Sequence, residues 1–187
     1  MRKSSFPPVV DADTRLLILG SLPGDASLAA AQYYAHPRNQ FWRLLSAIGA
    51  VELSALAYPQ RLAALQALGV GLWDVVASAQ RRGSLDSDIR AVALNPLTEL
   101  LVTLPALQAV AFNGKTAAKA APTLAASGLD ILLLPSSSPA LTTPFEKNLP
   151  SGKCLADISF NKQPAAVRAA GREEGHEPLL HLVCQSR

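Results

Sequence analysis

Asn39, Asn113, His36 and the run Ser136, Ser137, Ser138 and Pro139 are the residues whose types and placing best suit site chemistry. A side-chain amide presents a donor and an acceptor on one rigid group. It can read a donor–acceptor edge or hold a water, but it cannot usefully take a proton near neutral pH. Each candidate also has an ordinary reading. Asn113-Gly114 is a common turn dipeptide, and Asn39 can satisfy backbone donors at a helix start. His36 can donate to a leaving group or a phosphate, or simply be solvated in a loop. Serine hydroxyls and loop N–H groups suit phosphate, yet composition alone favours a plain Ser/Pro loop. Tyr34 and Phe41 can stack on a flat ring, with Tyr33 a weaker candidate. Phe41 and Trp42 also fall at core spacing, and for Trp42 the core reading is preferred. Lys115, Arg82, Arg81 and Arg38 are phosphate contacts or solvated charges.

The elements that must position these residues read as strands alternating with helices. Arg15 to Gly20 is a short apolar run, predicted as a buried parallel strand. A loop runs from Ser21 to about Pro37. From Arg38, Phe41, Trp42, Leu44, Leu45 and Ile48 recur at helical spacing until Gly49. A second helix is expected over Gln60–Leu68, a strand over Val70–Val76 and a polar loop over Arg81–Arg90. Leu97–Leu104 is a short helix, Ala109–Phe112 a strand, and Gly114 opens an Ala-rich helix that Pro122 interrupts. Ile131–Leu134 is a last strand. This alternation predicts a doubly wound α/β sheet. Ligands of such sheets sit beyond the carboxyl ends of the strands, where the polar clusters here fall. From Thr142 the pattern weakens into a loosely structured tail, with Leu179–Val183 packing back.

Composition sets outer limits. The chain has 187 residues, 49% hydrophobic and 17% charged, which suits one globular domain over 1–187 rather than disorder. A net charge of +3 tilts mildly toward a polyanionic partner. Two cysteines, Cys154 and Cys184, are too few for a disulfide framework, and with His176 and His181 they show no zinc-like spacing. No metal or cofactor is expected. No stretch approaches a membrane span, and Arg2 and Lys3 lead into Ser4, Ser5 and Pro7–Pro8 rather than a signal-peptide core. A monomer in the cytoplasm is the expectation.

The segment Gly20-Ser-Leu-Pro-Gly24 … Gln32-Tyr-Tyr-Ala-His-Pro-Arg-Asn-Gln-Phe-Trp-Arg-Leu-Leu45 resembles the uracil-DNA glycosylase superfamily, most closely its hypoxanthine-DNA glycosylase branch. Three later pieces agree in type and order: Gly69-Val-Gly-Leu-Trp-Asp-Val-Val76 with Arg82-Gly-Ser-Leu-Asp86, then Phe112-Asn-Gly-Lys115, then Leu134-Pro-Ser-Ser-Ser-Pro-Ala140. The resemblance covers residues 14 to 141. It implies a three-layer domain around a central, mainly parallel four-stranded sheet. It also implies a monofunctional DNA repair enzyme that hydrolyses the N-glycosidic bond of a deaminated base: hypoxanthine first, with uracil or xanthine as further substrates.

A base cannot be cleaved inside the duplex and must be flipped into a pocket. Deamination leaves a carbonyl acceptor beside a ring N–H donor; adenine and cytosine present the reverse. One amide fixed in one orientation therefore matches the deaminated edge and faces the normal one donor against donor. That mismatch costs roughly 1–3 kcal/mol per buried group. The resemblance gives this role to Asn113, with Gly20, Ser21, Tyr34 and Phe41 lining the base site. It gives water positioning to Asn39, with His36 beside it. Ser136, Ser137, Ser138, Pro139, Lys115 and Arg82 fall to DNA contact.

Three departures stand out. The thymine/uracil mismatch branch has a catalytic Asn where this chain has Leu22. Another branch places an Asp in this loop, where Asp25 is close but offset. The uracil-specialised branch has a His where Leu134 stands, which argues against efficient uracil chemistry. A broader uracil glycosylase or a weakly catalytic DNA-binding member of the same fold are the alternatives. A serine hydrolase built on Ser136–Ser138 lacks a G-x-S-x-G elbow.

Overall fold

The structure is a computed structural model and describes residues 1–49 and 51–140. Strand β1 is Arg2–Ser4 and β2 Leu16–Gly20; helices α1 (Asp25–Ala30), α2 (Phe41–Gly49) and α3 (Tyr58–Ala67) follow. Then come β3 (Val70–Asp74), β4 (Val76–Gln80), β5 (Arg90–Leu94), α4 (Leu97–Leu101), β6 (Ala109–Asn113), α5 (Lys115–Ala118) and β7 (Asp130–Leu134).

Strands β3-β2-β6-β7 form a parallel sheet in that order. All five residues of β2 are buried, as a central strand covered on both faces requires. Side chains alternate between two cores. Leu16 and Ile18 pack with Val70, Leu72, Ala109 and Ala111 against Phe41, Trp42, Leu45 and Leu65 of α2 and α3. Leu17 and Leu19 pack with Val110, Phe112 and Trp73 against Leu97, Ala117 and Leu124. The three layers match the sequence-based expectation.

Several local expectations need correction. The strand expected over Val70–Val76 ends at Asp74. At Val75 the chain leaves the parallel sheet, and β4 enters a second, antiparallel sheet of order β1-β4-β5. That sheet pairs Arg2 with Gln80, a contact local periodicity cannot reveal. The expected loop over Ser21–Pro37 contains α1. The polar segment over Arg81–Arg90 contains a 3₁₀ turn, Asp86–Asp88. Helix α3 begins two residues before Gln60, helped by Pro59 in its first turn. The tail expected from Thr142, with Cys154, His176, His181 and Cys184, lies outside the described residues. Among the described residues no helix is long and apolar enough to cross a membrane. Nor do three or more His, Cys, Asp or Glu side chains group as metal ligands would.

Candidate active site

The register of the parallel sheet builds the site. Gly20 pairs with Asp74, and Leu19 pairs with Phe112, one residue before Asn113. Since alternate residues share a face, Asp74, Gly20 and Asn113 form a row at the carboxyl ends of three adjacent strands. They lie on the α2 side, above Ile18, Leu72 and Ala111. A carboxyl and a carboxamide thus flank a position with no side chain. A Cβ on Gly20 would lie 2.5 Å from Asp74 Oδ1 and 3.1 Å from the Tyr34 hydroxyl.

Asn113 is held in one orientation. Its Oδ1 accepts from the Ser137 backbone N–H at 3.0 Å, and its Nδ2 donates to Ser137 Oγ at 2.9 Å. A backbone N–H can only donate, so the oxygen end of the amide is fixed. The second lone pair of Oδ1 and the second hydrogen of Nδ2 stay outside this pair of bonds. Ser137 is buried at 2% exposure, and its carbonyl accepts from the Gln40 N–H at 3.0 Å. This corrects its expected place at the DNA: Ser137 faces inward and orients Asn113. Ser136, Ser138 and Pro139 are partly exposed.

Tyr34 and Phe41 stack on each other, ring centroids 3.7 Å apart and planes 16° apart. Phe41 is buried and Tyr34 partly exposed. Tyr34 has φ 54°, a strained left-handed backbone for a bulky residue. Its hydroxyl is buried without a hydrogen-bond partner. Burial, then the Asp74 charge, push this phenol above its ordinary range, while the Asn113 amide partly opposes the rise. Tyr33 is core: its hydroxyl donates to the Pro7 carbonyl at 3.3 Å, and its ring meets Phe6 edge to face. Trp42 is core as well and donates from Nε1 to the Tyr33 carbonyl.

Asn39 caps α2, with Oδ1 accepting from the Phe41 N–H at 3.0 Å. The cap engages one lone pair of that oxygen, and its amide nitrogen lies outside it. Both ordinary and chemical readings of Asn39 therefore remain compatible at one residue. The Asn39 N–H donates to the His36 carbonyl. His36 Nδ1 accepts from the Arg38 N–H at 3.1 Å, which directs the ring proton to Nε2.

The remaining candidates divide by burial. Ser21 Oγ donates to Asp86 Oδ1 at 2.8 Å. Leu22 packs against Val76 and Ala79, away from the row. Asp25 pairs with Lys3. Arg81 is buried at 2% and donates to the carbonyls of Leu22, Pro23 and Gly83. It buttresses the loop after β2 and cannot serve as the surface phosphate contact expected of it. Arg82, Arg38 and Lys115 are exposed.

Sequence reasoning missed Asp74. It is buried at 3%, and Ser5 Oγ donates to its Oδ2 at 3.0 Å. Burial pushes its carboxyl up to about 7; the Ser5 hydroxyl opposes the rise, Asp86 adds to it and Arg81 opposes it. The available signal was a lone acid inside the otherwise apolar run Val70-Gly-Leu-Trp-Asp-Val-Val76, near the strand end where ligands of such sheets gather.

Fold and site together define a doubly wound α/β protein with a polar row and a stacked aromatic pair at the carboxyl end of its parallel sheet. Residues 7–158 match the model of the uracil DNA glycosylase superfamily, and the chain belongs to that family. It is similar to a hypoxanthine DNA glycosylase of Methanosarcina barkeri, 45% identical over 140 residues, covering 75% of this chain and 89% of the relative. A hypoxanthine DNA glycosylase of Methanosarcina acetivorans is 41% identical over 148 residues, covering 79% and 93%. A solution NMR structure from M. acetivorans, described as a candidate uracil DNA glycosylase, superposes with a TM-score of 0.73 at 39% identity, covering 80% of this chain and 94% of that one.

Proposed function

We propose that this protein is a monofunctional DNA glycosylase that hydrolyses the N-glycosidic bond of a deaminated base, hypoxanthine before uracil or xanthine. The observation that carries the reading is the Asn113 amide, locked by Ser137 beside the open position at Gly20. In that orientation the remaining Nδ2 hydrogen donates to the base carbonyl and the remaining Oδ1 lone pair accepts the ring N–H. Adenine would set N–H against N–H at the same place.

Tyr34 stacks on the flipped base, backed by Phe41. Gly20 and Ser21 line the base site. Asn39, held at the start of α2, positions the attacking water through its Oδ1, with His36 beside it. Ser136, Ser138, Pro139, Arg82 and Lys115 contact phosphates. The enzyme acts as a monomeric single domain, in the cytoplasm where its DNA substrate lies.

Excision from duplexes carrying one deoxyinosine, deoxyuridine or deoxyxanthosine tests the assignment. Hypoxanthine should be released fastest. Asn113→Ala should lose about 100-fold in rate together with discrimination against adenine. Asn39→Ala should lose rate while keeping binding to damaged DNA. Full turnover in both variants would refute the site assignment.

A further inference from the structure

Neither base reading nor water placement uses Asp86, yet this residue touches the site. Its Oδ1 accepts from Ser21 Oγ at 2.8 Å, and Ser21 follows Gly20 directly at the end of β2. The loop that carries Asp86 is pinned there at several points. Ser84 Oγ accepts from the Asp25 N–H at 2.8 Å, and the Gly83 carbonyl accepts from Lys3 Nζ and Arg81 Nε. The turn closes with the Ile89 N–H on the Asp86 carbonyl at 3.2 Å. Arg81 Nη1 lies 3.8 Å from the same Oδ1 that Ser21 meets. Both side-chain contacts fall on Oδ1, and the side chain keeps 39% exposure. A charge therefore stands at the mouth of the base site rather than in its floor.

Hydrolysis of an N-glycosidic bond creates a need for such a group. The electron pair of the C1′–N bond leaves with the base, and positive charge develops on C1′ and the ring oxygen of the sugar. Water adds to C1′ and releases a proton to solvent, from which the departed base takes one up. An anion held beside that sugar lowers the barrier without itself gaining or losing a proton. A base read at its carbonyl edge carries its sugar on the opposite edge, toward solvent, the side on which Asp86 is exposed. We propose that Asp86 is the carboxylate that stabilises the positive charge developing on the deoxyribose; the assignment rests on the glycosylase reading given above.

The other acids near the site suit this role less. Asp74 is buried at 3% within the row, and burial pushes it up to about 7, so it resists the charge that a cation needs. Asp25 is paired with Lys3. Asp86 alone among the three bonds a residue that lines the base site, and its charge reaches inward, opposing the ionisation of both Asp74 and Tyr34. An anion at a surface that meets polyanionic DNA weakens binding. Its place there fits an interaction made in the transition state rather than one that holds the substrate.

Binding of duplexes that carry a cationic pyrrolidine or a neutral tetrahydrofuran abasic-site analogue tests the proposal, together with single-turnover excision of deoxyinosine. Wild type, Asp86→Asn and Asp86→Glu are compared, with thermal melting to verify folding. The Asn variant keeps an oxygen for the Ser21 hydroxyl and removes only the charge. Wild type should prefer the cationic analogue. Asp86→Asn should lose at least about tenfold of that preference while holding the neutral analogue as tightly or more so. Its excision should be about 100-fold slower, and Asp86→Glu, which restores the charge, should recover part of both. Equal weakening on the two analogues would make Asp86 a loop anchor and overturn the proposal, as would an undiminished cation preference or an undiminished excision rate. A wild type that releases no base from deoxyinosine, deoxyuridine or deoxyxanthosine would instead overturn the glycosylase reading itself.

Discussion

Replacing Asp74 by Asn should stabilise the protein by an amount that grows as pH rises from about 4 to about 7 and is complete above that. The carboxyl is raised from 3.8 to about 7 in the folded chain. In the unfolded chain it returns to the ordinary value. Below pH about 4 it is protonated in both states and contributes no difference. As pH rises toward 7 the unfolded chain ionises while the folded one resists, so stability is lost across that window. Above pH about 7 the loss is complete. At about 1.4 kcal/mol per pH unit, the interval from 3.8 to about 7 corresponds to about 4 kcal/mol. Asparagine is nearly isosteric, keeps an oxygen for the Ser5 hydroxyl and carries no charge. The variant should therefore gain up to about 4 kcal/mol at pH 8 and close to nothing at pH 4, on the order of 10 °C in Tm at the alkaline end. Urea unfolding of both proteins from pH 4 to pH 8.5 measures this. A stability difference independent of pH, or an Asn variant less stable at pH 8, would refute the argument from burial. A costly ionisable group kept in a core, with an isosteric neutral substitute at hand, points to use rather than stability.

Other outcomes follow from the same geometry. Gly20→Ala brings a methyl to 2.5 Å from Asp74 Oδ1; it should cost about 1–3 kcal/mol in urea melts and abolish excision by filling the base site. Gly71→Ala meets Val10 Cγ1 at 2.8 Å and Thr14 Cγ2 at 2.9 Å. On the face of β3 opposite the polar row, it should lose similar stability while the folded fraction keeps its excision rate. Arg82→Ala and Lys115→Ala should each lower the slope of log affinity against log salt by about 1 without changing base preference; an unchanged slope in a binding titration would remove that residue from the DNA contact.

The chain carried much of this on its surface. The apolar runs at Arg15–Gly20, Ala109–Phe112 and Ile131–Leu134, broken by helical spacing from Arg38, identify a covered parallel sheet, because strand and helix write different periods into a local stretch. Asn39 and Asn113 each have an ordinary use, a helix cap and an Asn-Gly turn, and it is the resemblance of the blocks around them that singles them out. Other features depended on neighbours distant in sequence. Asp74 reads as a residue inside the Val70–Val76 strand until the structure ends that strand at Asp74 and sets it beside Gly20. Ser137 reads as one of three equivalent serines until the fold directs it alone into the interior to bond both ends of Asn113. Arg81 and Arg82 are adjacent basic residues, yet one is buried among loop carbonyls and the other faces solvent. The small antiparallel sheet required β1 to return to β4 across most of the described chain. Periodicity is a local property, and it settles which face of an element is apolar. Strand register, burial of a charge and the orientation of an amide arise only when separate elements pack, so they belong to the tertiary structure.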